Sequence, residues 1–96
     1  METENLSHQV HRSEQLIREL ATRYGFRSKD YSLIWDDGTF QSSRSMHALE
    51  IITADGRRSA AEIPHLALVQ ENPWQYIAKV DAALLHLARR GALRGY

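Results

Sequence analysis

The stretch from His47 to Ile63 restricts this chain most, because a three-residue turn lets its apolar residues share a face and a two-residue turn does not. Leu49 and Ile51 recur at a step of two before Ala54-Asp55-Gly56, and Ala61 and Ile63 do so after it. A loop of these three residues with a glycine bulge sets Ile51 opposite Ser59, Leu49 opposite Ala61 and His47 opposite Ile63. All four apolar side chains then lie on one side. A two-residue loop would oppose Leu49 to Glu62 and Ile51 to Ala60, mixing the faces. The pattern predicts an antiparallel hairpin with the bulged turn, ended by Pro64.

A second strand signal lies upstream. Tyr31, Leu33 and Trp35 alternate with Ser32, Ile34 and Asp36, the period of a strand. Asp37-Gly38 then reads as a type I′ hairpin turn, which sets Trp35 opposite Phe40. Ser42-Ser43-Arg44-Ser45 shifts the alternation by one residue, as a bulge in one strand or a turn between two would, so three or four strands are expected.

Amphipathic helices flank these strands in sequence. From about residue 6 to 24, Leu6, Val10, Ile17, Leu20, Ala21 and Tyr24 recur at helical spacing, and Gly25 follows as a stop. Near the C-terminus, Asn72-Pro73-Trp74-Gln75 combines a favoured N-cap, a proline at the first helical position and a capping-box glutamine. Ile77, Val80, Leu84 and Leu87 form the central stripe, widened by Trp74, Ala78, Leu85 and Ala88, with Gly91 as the stop. Residues 65–71 between strand and helix read as one helical turn or an apolar tuck. The expected fold is α+β: a two-layer sandwich of order α-β-β-(β)-β-α, both helices on the apolar face of an antiparallel sheet.

Ninety-six residues suit a single domain, residues 1–96, with 1–5 frayed. Twelve Lys and Arg balance twelve Asp and Glu, so no overall field draws the chain to nucleic acid or an anionic membrane. There is no cysteine, which excludes disulfides, thiolate metal sites and cysteine nucleophiles. The N-terminus has no apolar run, and the run from Ile77 to Ala88 is too short and too polar to span a bilayer. Cytoplasmic residence without membrane contact is the expectation.

No motif names an activity. His8 and His11 are placed to share a helix face, but no matching third ligand accompanies them, so no metal is expected. His47 falls on the inner face of the hairpin, as a hydrogen-bonded core histidine; His86 falls on a polar helix face. Asp36 and Asp37, near Asp30, read as residues of a solvated turn. Ser42, Ser43 and Ser45 lack a nucleophile elbow, and no phosphate-binding glycine loop occurs. Neither catalysis nor a cofactor is expected.

Two surface features remain. The last helix carries a wider apolar face than a small sheet obviously covers, beside hairpins with open edges, which points to a non-enzymatic, self-associating protein-interaction module, a homodimer or a complex with another protein, joined through the sheet edge or the final helix with Trp74, Tyr76 and Leu85 as anchors. Arg57-Arg58 and the C-terminal Arg89, Arg90 and Arg94, with Arg23, Arg27 and Lys29 as a third group, offer an alternative: nucleic-acid contact, with Arg57, Arg58, Arg89 and Arg90 as the phosphate ligands. The helix–three-strand–helix order resembles that of the double-stranded-RNA-binding domain, although element order by itself says little about function. The resemblance covers element order alone. Where that family has a lysine-rich start to its last helix, residues 73–79 here read Pro-Trp-Gln-Tyr-Ile-Ala-Lys.

Overall fold

The computed structural model describes residues 2–94, and the side chains of residues 7–89. An N-terminal helix, α1 (Glu2–Arg23), leads into three antiparallel strands, β1 (Tyr31–Trp35), β2 (Met46–Thr53) and β3 (Arg58–Pro64). A one-turn helix, α2 (His65–Val69), and a C-terminal helix, α3 (Ile77–Arg94), complete the chain. The strands lie in the order β1-β2-β3. This is the α+β arrangement the patterning predicts, with three strands.

The β2–β3 hairpin has the bulged-turn register: Ile51 faces Ser59, Leu49 faces Ala61 and His47 faces Ile63. Alternate residues of β2 from His47 to Thr53 are buried, and their partners Tyr31, Trp35, Ala61 and Ile63 are buried on the same face. Ile17, Leu20 and Ala21 of α1, Ala67 and Leu68 of α2, and Val80, Ala83, Leu84 and Leu87 of α3 join them in one core. Arg18 lies over the Tyr31 ring at 5.4 Å, and Trp35 Nε1 donates to Glu14 at 2.8 Å, which fixes α1 above β1.

Three sequence expectations need correction. The first hairpin does not form: Trp35 pairs with Leu49 of β2, not with Phe40. Asp36 and Asp37 take left-handed conformations (φ 47° and 63°) that end β1 and begin a wide connection over residues 36–45. Phe40 still meets Trp35, edge to face at 5.5 Å, but from that connection. Second, Asn72 makes no side-chain cap. Pro73–Gln75 is a separate 3-10 turn, because Tyr76 (φ −138°) breaks the helical path before Ile77. The break turns Tyr76 inward and leaves Trp74 84% exposed. Third, α3 continues through Gly91 to Arg94, and α1 starts at Glu2, ahead of the expected start near residue 6.

Candidate functional site

Two places in this fold hold chemistry the core does not require: the open edge of the sheet at β3, and a chain of buried polar side chains at the opposite end of β2.

β3 borders the sheet, and its register decides which backbone groups are free. Thr53 N–H donates to Arg57 O at 2.9 Å, so those two residues form a hydrogen-bonded pair. By antiparallel alternation, Ser59, Ala61 and Ile63 bond inward to β2, while the N–H and C=O groups of Arg58, Ala60 and Glu62 point away from the sheet. Beside this edge runs an open groove of about 500 Å³, lined mainly by alanines (Ala48, Ala60, Ala61, Ala82 and Ala83) with Glu62 and Lys79 at its margin. Arg58 is 67% exposed and pairs loosely with Glu50 at 3.7 Å; Glu62 is exposed and has no ion pair among the described residues.

At the other end of β2, the backbone turn after β1 drives Asp36 into the core, where it is 2% exposed. This reverses the solvated-turn reading. Its carboxylate accepts hydrogen bonds from the backbone N–H of Gln41 (2.9 Å) and of Ala48 (3.0 Å) and meets His47 Nδ1 at 2.7 Å. Arg44 reaches it at 3.4 Å. Burial by itself raises the Asp36 carboxyl, but the hydrogen bonds from Gln41, His47 and Ala48 prevail and hold it below the ordinary carboxylate range. His47 is fully buried, with Phe40 stacked on its ring at 4.2 Å, and its Nε2 lies 2.9 Å from Nδ1 of His65, the first residue of α2. The hydrogen-bonded core histidine of the sequence reading is thus the middle of three linked groups. Asp36 and His65 were the part sequence reasoning missed. The signal was present in the register: His47 opposite Ile63 sits diagonally next to His65.

The other singled-out residues are scattered. Trp74 is exposed and Leu85 half-buried. Tyr76 is buried, 3% exposed, with its hydroxyl 3.0 Å from Ser13 Oγ, so it serves the fold and is closed to a partner. Arg57 turns inward, pairing with Asp55 at 3.0 Å and donating to the Leu87 carbonyl. Arg58 projects on the opposite face of the sheet, so the two adjacent arginines share no surface. Arg89 is exposed on α3; the side chain of Arg90 lies outside the described residues. His8, His11 and His86 are exposed, and among the described residues no group of three His, Asp or Glu could hold a metal. No described helix is long and apolar enough to cross a membrane.

No protein-family model matches the chain, and neither a curated protein nor a solved structure matches it.

Proposed function

We propose that this protein is a self-associating interaction module and that two copies join through β3. The observation that carries this reading is the self-complementarity of the open edge. An antiparallel β3–β3 pairing with its two-fold axis at Ala60 opposes Ala60 to itself and Arg58 to Glu62 of the second copy, twice by symmetry. Every outward backbone group of Arg58, Ala60 and Glu62 gains a partner in that register. Sliding the strands opposes these charges to alanine or to their own kind, which removes the benefit. The pairing produces one six-stranded sheet with the helices of both copies on the same face, and the small Ala82 side chain beside the groove leaves room for the two α3 helices to approach.

The β1 edge offers less. Ala54 N–H donates to Asp30 O at 2.8 Å, so the outward groups of β1 belong to Tyr31, Leu33 and Trp35, a run with no charge to set the register. Nucleic-acid contact through Arg57, Arg58, Arg89 and Arg90 has weaker support, since Arg57 is engaged with Asp55 and Leu87.

Sedimentation of the pure protein tests the reading. A dimer is expected, and Ala60→Pro should convert it to a monomer with unchanged circular dichroism. Proline there deletes an N–H that points out of the sheet, so the fold tolerates it. A wild-type chain that stays monomeric at millimolar concentration, or a dimer indifferent to Ala60→Pro, overturns the assignment.

A further inference from the structure

With both imidazoles neutral, the Asp36–His47–His65 chain admits one arrangement of its hydrogens. Asp36, held as a carboxylate, can only accept, so His47 carries its hydrogen on Nδ1 and donates it to Asp36 Oδ2 at 2.7 Å. That leaves a lone pair on His47 Nε2. With His47 neutral, the atom facing that lone pair at 2.9 Å, His65 Nδ1, supplies the hydrogen. His65 is therefore the Nδ1–H tautomer, with its lone pair on Nε2. This nitrogen has no partner among the described residues, and no enclosed side-chain nitrogen or oxygen among them lacks one, so solvent reaches it. Stacking of Phe40 on His47 locks the middle ring, and the hydrogen bond from His65 N–H to Ser45 O at 2.9 Å anchors the outer residue. A backbone N–H or a hydroxyl would satisfy His47 Nε2 equally well. A second imidazole instead carries the chain onward to a bare lone pair at the surface.

We propose that His65 is a nucleophile for acyl transfer from activated esters, with His47 and Asp36 as positioning residues. The Nε2 lone pair forms a bond to the acyl carbon, and the carbon–oxygen bond to the leaving group breaks, releasing the alkoxide or phenolate. The His65 ring sheds its Nδ1 proton to His47 Nε2, and the resulting imidazolium rests against the Asp36 carboxylate. Water then attacks the acyl carbon and the carbon–nitrogen bond breaks. His47 returns its proton to His65 Nδ1, and the proton lost by water goes to solvent, where it neutralises the released anion. The balance is ester plus water to acid plus alcohol, with no further reactant.

Two measurements on the full-length protein test this. Nitrogen-15 NMR of the imidazole rings reads the tautomers directly: hydrogen on Nδ1 and a bare Nε2 are expected for both His47 and His65, whereas hydrogen on His65 Nε2 overturns the proposal. The second uses p-nitrophenyl acetate, followed by p-nitrophenolate release and by mass spectrometry of the acetylated sites. His65 should be acetylated at least about tenfold faster than His8, His11 and His86, a modest share of the roughly 10²–10⁴ that proton-transfer assistance supplies. His65→Gln, at a partly exposed position, should abolish that fast phase. His47→Gln should leave His65 reacting like the exposed histidines, with its tautomer released in the NMR spectrum. Equal acetylation of all four histidines, or a fast phase that survives His65→Gln, refutes the assignment.

Discussion

Asp36→Ala tests the buried polar chain most severely. The carboxylate is 2% exposed and accepts from Gln41 N–H at 2.9 Å, Ala48 N–H at 3.0 Å and His47 Nδ1 at 2.7 Å. Alanine removes all three hydrogen bonds at once. Gln41 lies in the exposed connection and can turn its N–H to water, and His47 can move its hydrogen to the other nitrogen. Ala48 N–H, within β2, has neither escape. A buried donor left unsatisfied costs about 1–3 kcal/mol. Hydrogen bonds to a charged group are worth about 1.5–3 kcal/mol each, so losing those from Ala48 and His47 together is expected to cost about 3 kcal/mol or more. It is a large part of the roughly 5–15 kcal/mol that stabilises a domain of this kind. Urea unfolding followed by the fluorescence of buried Trp35 and by circular dichroism measures it. With a slope of about 1.5 kcal/mol/M, the midpoint should fall by about 2 M or more. A loss below about 1 kcal/mol, as for a solvated turn residue, would refute the claim that Asp36 holds residues 36–45 to the sheet.

Other consequences concern acid and the core. The Asp55 carboxyl lies at about 2, lowered first by the Thr53 hydroxyl and then by Arg57, and Asp36 is lowered as well. A depressed carboxyl contributes its stability above the unfolded value and loses it as pH falls through the folded one. The urea midpoint should therefore hold from neutrality to about pH 5 and decline between the ordinary carboxylate value of 3.8 and about 2, less steeply in Asp55→Asn. Leu84 is fully buried and Leu85 half-buried on the same helix, so Leu84→Ala should cost about 2–5 kcal/mol in chemical denaturation and Leu85→Ala clearly less. Equal costs would mean that α3 is rotated about its axis.

The parts of the fold legible in the sequence are those governed by local periodicity and by burial on a single face. The β2–β3 register followed from the Ala54-Asp55-Gly56 turn together with Leu49, Ile51, Ala61 and Ile63, since a two-residue turn would split these four between the faces. The core stripe of α3 was equally plain in Val80, Leu84 and Leu87. Local signals failed where a tertiary contact decides the backbone. Asp37-Gly38 has the composition of a tight hairpin, but the hydrogen bonds that Asp36 accepts from Gln41 and Ala48 favour a wide connection. Asn72-Pro73-Trp74-Gln75 has the composition of a helix start, but the contact of Tyr76 with Ser13 of α1 interrupts it. The Asp36–His47–His65 chain draws on three separate elements: the hairpin register sets His47 diagonally next to His65, but no local spacing brings Asp36 to them. An open sheet edge is expected from the hairpins alone, but that β3 is one of the two edges follows only from the strand order β1-β2-β3.

In the proposed β3–β3 pairing Arg58 and Glu62 set the register, and a charge-reversal cycle reads that register. Arg58→Glu and Glu62→Arg should each weaken the dimer by about 1–4 kcal/mol, because two favourable cross-strand contacts become two repulsive ones, each worth about 0.2–1 kcal/mol. Glu62→Arg is the cleaner arm, since Arg58 also pairs with Glu50. The double variant Arg58→Glu, Glu62→Arg restores opposite charges across the two-fold and should recover most of the wild-type dimerisation constant in analytical ultracentrifugation. A double variant as dissociated as the single ones, or single variants that dimerise like the wild type, would contradict the account.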